Sequence, residues 1–164
     1  MEISVQKAHV EEKPILRNLM ELCQHDYSEF TGQEVGEHGL FGCKYLDHYW
    51  TEPDRHPFLI RVDGKLAGFV LVRELESHSE ESPAHFIADF FVMRAHRRRG
   101  VGQFAAHKAF SMFPGRWRVS EEAHNTGGQI FWRKAISRYT EGRFREIQGD
   151  DVVGPVQEFV VPGK

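Results

Sequence analysis

The segment with the clearest chemical signature is a basic turn over residues 97–102, which reads Arg-Arg-Arg-Gly-Val-Gly. It lies between an apolar stretch that ends near Val92 and a segment of helical composition. The first N–H groups of a helix have no partners within the helix, and the helix dipole makes that end positive. Glycine allows a ligand to approach the main chain closely. The segment therefore predicts a binding site for an anion, such as a phosphate or pyrophosphate.

The same arginines have two other interpretations. A run of basic residues is often a solvated face, and it can also bind the phosphates of a nucleic acid without sequence specificity. The whole chain carries a formal net charge of −3, and it contains no zinc-finger or RNP-like signature. These features argue against a nucleic-acid-binding module built on the cluster from Arg94 to Arg99, which stays as an alternative.

Asp89 is the second residue with chemical potential, because it lies inside the apolar stretch over residues 87–91. A carboxylate is costly to bury without a partner. Asp89 is therefore either paired within the fold or kept for a reaction. Two further acids, Glu121 and Glu122, follow the next predicted strand, and we expect them on a solvated loop.

Composition indicates an ordinary globular chain. The 164 residues are 40% hydrophobic and 27% charged, which is typical of a protein that folds on its own, and the length fits a single domain over residues 1–164. No apolar run approaches the ~20 residues of a membrane-spanning helix, and the first residues do not resemble a signal peptide. We expect a cytoplasmic protein without a membrane partner.

The chain has ten histidines and two cysteines, and neither set forms a metal motif. There is no HExxH sequence and no CxxC pair. The nearest approach to a ligand set is the group His38, Cys43 and His48. We expect no metal, and we expect both cysteines to be reduced.

Apolar periodicity and turn residues predict a mixed order of strands and helices. In chain order, the predicted elements are a strand over 3–8, a helix from Pro14 whose apolar face continues to Cys23, a short helix over 45–50, a hairpin of strands 58–62 and 66–75 around Asp63-Gly64, a solvated loop over 76–83, a strand over 84–93, a helix over 101–113, a strand over 117–120, a helix over 126–136, and a closing pair of strands over 144–147 and 156–161. This order predicts an α/β (α+β) fold.

In this setting the basic turn resembles the signature of the Gcn5-related N-acetyltransferase (GNAT) superfamily. The pyrophosphate loop of that superfamily reads Gln/Arg-x-x-Gly-x-Gly/Ala, which residues 97–102 match, and Val92 matches the valine five residues before the loop. A second signature, an asparagine followed seven residues later by an aromatic residue, resembles Asn125 and Trp132. The specific motifs lie in the second half of the chain.

The resemblance implies a mixed, mostly antiparallel central sheet of six to seven strands flanked by about four helices. It also implies that acetyl-coenzyme A (acetyl-CoA) is bound as co-substrate, with the pantetheine arm paired to the strand before the loop and the pyrophosphate on the loop backbone. Lys134 would meet the adenosine phosphate. The residues assigned to the cofactor in this way are Phe90, Phe91, Val92, Arg97, Arg98, Arg99, Gly100, Val101, Gly102, Gln103, Asn125, Trp132 and Lys134.

The activity implied is transfer of the acetyl group to a primary amine by direct attack on the thioester. A base must take a proton from the amine, and Asp89 is the preferred candidate, ahead of Glu121 and Glu122. Many relatives protonate the departing thiolate with a tyrosine, but the matching residue here is Trp132, whose indole is not an ordinary acid. Tyr139 is a candidate to replace that tyrosine, and water is another source of the proton.

The acceptor stays open, because a small molecule or a peptide can supply the amine. The missing tyrosine also fits a second alternative, a non-catalytic sensor or scaffold that binds acetyl-CoA. The closing strands near the C-terminus allow a homodimer.

Overall fold

The structure, a computed structural model, describes residues 1–75, 83–148 and 153–163. The predicted solvated loop over 76–83 lies outside these ranges except for Pro83. The strands are β1 Ile3–Lys7, β2 Arg55–Val62, β3 Lys65–Leu75, β4 Ala84–Val92, β5 Gly115–Glu122, β6 Arg145–Ile147 and β7 Val153–Val161. The helices are α1 Lys13–Thr31, α2 His48–Thr51, α3 Val101–Met112 and α4 Thr126–Thr140, with short 3-10 turns at Val10–Glu12 and Arg94–His96.

The strands form one sheet in the order β1-β2-β3-β4-β5-β7-β6. Neighbouring strands pair antiparallel, except that β4 and β5 are parallel. Within the described ranges, seven strands and four α-helices therefore confirm the predicted mixed, mostly antiparallel α+β fold. The predicted hairpin is also confirmed, since Asp63 and Gly64 take φ angles of 50° and 80° between β2 and β3, as a tight hairpin turn requires.

The helices cover the two faces of the sheet and create two apolar cores. On β3, Phe69 and Leu71 point to the side of α1 and α2, whereas Val70 and Val72 point to the side of α3 and α4. This alternation follows from the two-residue period of a strand. Both faces of β3 are buried, which is why its sequence is a nearly continuous apolar run.

The first and last helices are longer than the sequence indicated. The helix α1 continues to Thr31 and ends at Gly32, whose φ of 71° is left-handed, a common way to end a helix. The helix α4 continues to Thr140 and ends at Glu141, also left-handed at φ 54°. The apolar face predicted for the first helix ends at Cys23, about two turns before the end of α1, and the end predicted at Ile136 is about one turn early.

Candidate active site

A gap opens between β4 and β5 on the side where β4 leads into the basic turn. The parallel pairing of these strands is confined to His85 with Trp117 and Phe86 with Arg118. A bulge interrupts the other edge of β4, because Leu71 pairs with Asp89 whereas the next residue, Val72, pairs with Ile87. Bulges bend strands and redirect side chains. The C-terminal half of β4 therefore leaves its neighbour and exposes one edge.

The backbone of that exposed edge can be read from its hydrogen bonds. Met93 donates from its N–H to the carbonyl of Ala67 on β3 (2.8 Å). In an antiparallel strand, the backbone N–H and C=O groups of successive residues alternate between the two edges. Because Met93 faces β3, the N–H and C=O groups of Phe90 and Val92 face the gap. An extended ligand can pair with such an edge as an added strand.

Two side chains hold this edge from the α1 side. The hydroxyl of Tyr27 donates to the carbonyl of Phe90 (2.7 Å), and Nε of Arg97 donates to the carbonyl of Val92 (2.7 Å). The N–H groups of Phe90 and Val92 face the same gap. These two hydrogen bonds use the carbonyl groups of the edge and fix its position, while its N–H groups point into the gap.

Asp26 on α1 anchors the basic turn. Its carboxylate accepts hydrogen bonds from Arg94 (2.8 Å) and from Nη2 of Arg97. Burial alone would raise the pKa of Asp26, but the hydrogen bonds and charges of Arg97 and Arg94 hold it below its usual value. Two of the four arginines of the cluster from Arg94 to Arg99 are thus used to fix the turn, and the side chain of Arg97 binds protein groups.

The other two arginines of the turn, Arg98 and Arg99, are exposed. Arg98 has a left-handed φ of 60° and Gly100 one of 81°, a conformation that favours glycine. Gly100 precedes α3, and no side chain caps that helix. The first-turn N–H groups of α3 therefore meet the requirements of an anion site.

Gly102 is required for a reason that the sequence did not indicate. A Cβ atom at this position would come within 3.1 Å of the ring of Phe131 on α4 and 3.8 Å of the ring of Phe90. These two rings stack with centroids 5.7 Å apart. The glycine thus allows α3, α4 and β4 to approach closely.

The remaining residues predicted to bind the cofactor have different surroundings. Asn125 caps α4, because its side-chain oxygen accepts from the N–H of Gly128 (2.9 Å). Gln103 accepts a hydrogen bond from Arg138 (2.7 Å), and Lys134 is exposed on α4. The side chains of Phe91, Val92 and Val101 are buried in the cores.

Trp132 is a core residue. It is 7% exposed and packs edge-to-face against Phe90 at 4.8 Å and Phe131 at 5.0 Å between ring centroids. It therefore supports the gap-side wall of β4.

Asp89 is half-buried on the α1 and α2 face of the sheet. Among the described residues, no side chain donates a hydrogen bond to it and no cation pairs with it. Burial raises its pKa to about 6. The carboxylate is consequently more basic than an ordinary aspartate, yet it is ionised at neutral pH.

Three other groups feel the charge of Asp89 and so mark its surroundings. Burial raises the pKa of Cys23, Tyr27 and Tyr49, and the negative charge of Asp89 raises each of them further. The sequence analysis did not assign Tyr27 or Tyr49 to the site. The signal for Tyr27 was present, since it lies one helical turn beyond Cys23 on the same face of α1.

Glu121 and Glu122 were placed wrongly on a solvated loop, because both belong to β5. Glu121 is 7% exposed and accepts a hydrogen bond from Gln157 on β7 (3.0 Å). Its second oxygen is buried and has no partner among the described residues, and burial raises its pKa to about 8. Glu121 is therefore mainly protonated at neutral pH, whereas Glu122 is exposed.

Tyr139 lies near the opposite end of α3 from the basic turn. Its hydroxyl is 3.0 Å from that of Ser111, and its ring packs on Phe110 with centroids 5.3 Å apart. Ser111 and Gly102 are nine residues apart on α3, which is about 13 Å along a helix. The structure does not bring Tyr139 to Asp89.

A cavity of about 970 Å³ lies along the C-terminal end of α4, β6 and β7, and Tyr139 is on its wall. None of the other residues predicted for catalysis or cofactor binding lines it. Within the described ranges, no group of three His, Cys, Asp or Glu side chains is placed to hold a metal ion. No helix in those ranges is long and apolar enough to cross a membrane.

Several solved structures with the same fold are acetyltransferases. The chain superposes on an acetyltransferase from Thermus thermophilus with a TM-score of 0.70 at 16% identity, over 98% of both chains. A PaiA N-acetyltransferase from Thermoplasma acidophilum in complex with coenzyme A gives a TM-score of 0.64 at 12% identity, over 98% of this chain and 99% of that one.

A third similar structure is RimL, a ribosomal L7/L12 alpha-N-protein acetyltransferase in complex with coenzyme A, with a TM-score of 0.67 at 11% identity, over 99% of this chain and 96% of that one. No curated protein sequence matches this one. The sequence model of the acetyltransferase (GNAT) family matches residues 16–136, which include most of α1, the gap, the basic turn and most of α4. The chain belongs to the acetyltransferase (GNAT) family.

Proposed function

We propose that this protein transfers an acetyl group from acetyl-CoA to a primary amine by direct attack of the amine on the thioester. The observation that carries the proposal is that a helix start, an open strand edge and a candidate base lie next to one another. An uncapped helix preceded by two exposed arginines, Arg98 and Arg99, follows a strand whose donors face an open gap, and the base candidate Asp89 lies on that same strand.

The residues present fit the cofactor. The N–H groups of the first turn of α3 suit a pyrophosphate, and the left-handed φ of 81° at Gly100 presents them without a side chain in front. The N–H groups of Phe90 and Val92 suit the carbonyls of a pantetheine arm. Acetyl-CoA supplies an acetyl group activated as a thioester. Of the other residues assigned by the family resemblance, Lys134 contributes charge, and Asn125 and Trp132 act by holding α4 and β4.

Asp89 is suited to take the proton of the attacking amine. With a pKa of about 6, its carboxylate is ionised at neutral pH. It can therefore act as a general base, directly or through one water. In the reaction, a bond forms between the amine nitrogen and the acetyl carbon, and the carbon–sulfur bond breaks. The amine proton goes to Asp89, the departing thiolate takes a proton from water, and Asp89 gives its proton to the hydroxide that remains, which restores the carboxylate.

Two observations bear on the alternatives. Trp132 cannot act as an ordinary acid, which favours the second candidate, a sensor or scaffold that binds acetyl-CoA without transfer. The nucleic-acid alternative is weakened, because Arg94 and Arg97 both bind the carboxylate of Asp26, which offsets one of their two charges. Within the described ranges, Arg98 and Arg99 are the two arginines of the cluster without a carboxylate partner, and a phosphate-binding surface that depends on charge alone requires more.

The test is acetyl transfer to a panel of primary amines, with release of the coenzyme A thiol and formation of the acetylated product measured together. The proposal expects transfer by the wild type and its loss in Asp89→Asn, with acetyl-CoA affinity nearly unchanged. Asp63→Asn, on the exposed hairpin turn away from the gap, is the matched control. Binding of acetyl-CoA with no transfer to any amine would favour the sensor and contradict the enzyme.

A further inference from the structure

Strand pairing places an arginine on the same face of the sheet as Asp89, one pair further along β3 on that face. Leu71 pairs with Asp89, and Arg73 pairs with Phe86. Leu71 and Arg73 are two residues apart on β3 and therefore point to one face, the face that α1 and α2 cover in part. The spacing between them is about 7 Å along the strand, a distance that an arginine side chain can reach across.

The guanidinium of Arg73 has no polar partner within the described ranges. Its Nε atom is buried and makes no hydrogen bond there, and among the described residues no carboxylate pairs with it. Its group lies over the ring of Phe86, 5.5 Å from the ring centroid. Arg55, its cross-strand neighbour, differs because it is bound to Glu52 (2.7 Å). A buried donor without a partner is uncommon and calls for an explanation.

The charges of both groups act on Tyr49 of α2. Burial raises the pKa of its hydroxyl, the negative charge of Asp89 raises it further, and the positive charges of Arg55 and Arg73 oppose that change. The charges of Asp89 and Arg73 thus both act on the hydroxyl of Tyr49, whose ring lies 5.4 Å from the guanidinium of Arg55. One carboxylate and one guanidinium, neither paired with a described residue, thus face the same region beside the gap.

We propose that the acceptor is an amine that also carries a carboxylate, as amino acids do, and that Arg73 binds this carboxylate while Asp89 meets the amine. The inference rests on the proposed function, because it assumes that the amine approaches Asp89 from this face. A planar guanidinium binds a carboxylate through two parallel hydrogen bonds. Such binding satisfies the buried Nε of Arg73 and sets the amine at a fixed distance from Asp89.

The experiment compares each amino acid of a panel with its C-terminal amide, which keeps the amine and removes the negative charge. In the wild type we expect kcat/KM for the free acid to exceed that for the amide by about tenfold or more, as a charged hydrogen bond provides. Arg73→Leu should bring this ratio close to one through the loss on the free acid, and Arg73→Lys should keep part of it.

Arg143→Leu is the matched control, since Arg143 is 80% exposed on the wall of the 970 Å³ cavity; it should keep the wild-type ratio. Equal use of acid and amide by the wild type, or a ratio unchanged in Arg73→Leu, would overturn the proposal while leaving acetyl transfer intact. In the second case Arg73 is a packing residue for Phe86.

A second measurement separates this proposal from the proposed function. Calorimetric titration of the same amino acids into protein saturated with coenzyme A reads carboxylate binding without turnover. If no amine is acetylated, weaker binding of the acids by Arg73→Leu still supports the arginine site. Absence of amino-acid binding by the wild type, or equal binding by the variant, would refute the site. Thermal stabilisation by coenzyme A reports separately on the cofactor.

Discussion

The hydroxyl of Tyr27 donates a hydrogen bond to the carbonyl of Phe90, 2.7 Å away, and this bond connects α1 to β4 where the gap begins. Burial raises the pKa of Tyr27 well above its usual value, so the phenol stays protonated and acts as a donor over the whole physiological range. The bond fixes the strand edge that the cofactor is proposed to pair with.

Tyr27→Phe should therefore impair both stability and cofactor use. Loss of the bond should lower the free energy of unfolding by about 0.5–1.5 kcal/mol, which urea denaturation measures. We also expect a higher KM for acetyl-CoA. Tyr139→Phe is the control, because it removes a hydroxyl that contacts Ser111 far from the gap. A larger loss of turnover in Tyr139→Phe than in Tyr27→Phe would contradict this account.

The raised pKa of Asp89 predicts that both turnover and the stability of the fold depend on pH. Its folded pKa of about 6 lies above the ordinary value of 3.8, so the folded state binds the proton more tightly than the unfolded state does. The contribution of Asp89 to the free energy of unfolding is fully present below pH 3.8 and is lost as the pH rises through 6. Turnover should rise over the same upper range, because the base must be ionised.

Asp89→Asn should accordingly lose most turnover but unfold at a higher temperature than the wild type at about pH 8, with a smaller difference at about pH 4. Thermal unfolding at the two pH values measures this. A variant that is less stable than the wild type at the higher pH would show that Asp89 has a structural partner.

Glu121 predicts a second pH effect on stability at a higher pH. Its folded pKa of about 8 lies above the ordinary value of 4.5, so its contribution is complete below pH 4.5 and is lost as the pH rises through 8. Glu121→Gln should raise the melting temperature at about pH 9 relative to the wild type. Glu122→Gln, on the exposed face of the same strand, should leave the pH profile unchanged. A pH-independent effect of Glu121→Gln would contradict burial of the charge.

Replacing Asp26 should weaken acetyl-CoA binding, although Asp26 is not proposed to contact the cofactor. Asp26→Asn removes the carboxylate that holds Arg94 and Arg97, and the turn that these residues fix should lose its order. We expect acetyl-CoA affinity to fall severalfold, which calorimetric titration measures. The control is Asp47→Asn, which breaks the surface ion pair of Asp47 with Lys13. Unchanged affinity in Asp26→Asn would show that the turn keeps its shape without this anchor.

Much of the fold could be predicted because local signals agreed with the final structure. The Asp63-Gly64 turn and the apolar run of β3 specify a central hairpin, and the arginine–glycine turn specifies the strand-to-helix junction. Glu121 was misplaced because its polarity suggested a loop, although Trp117, Val119 and Glu121 alternate as a strand does. Burial of its carboxyl depends on Gln157, which lies 36 positions away.

The site was predicted less completely, because its parts come from distant segments. The sequence could suggest that Asp89 was unusual, but the position of Arg73 on the same face of the sheet depends on strand register and on the bulge in β4. Likewise, Arg97 was predicted as a cofactor residue, whereas its guanidinium binds Asp26 and the carbonyl of Val92. These contacts join residues that are distant in the sequence, and local residue patterns do not reveal them.

The central claim is that the basic turn and the gap bind acetyl-CoA, and thermal unfolding with and without acetyl-CoA tests it most directly. A ligand at about 100 times its dissociation constant adds about 2.7 kcal/mol of stability, which is about 5–10 °C in melting temperature for a chain of this size. We expect that rise for the wild type and a much smaller one for the double variant Arg98→Glu and Arg99→Glu. No rise at millimolar acetyl-CoA, or an equal rise in the double variant, would contradict the assignment of this site.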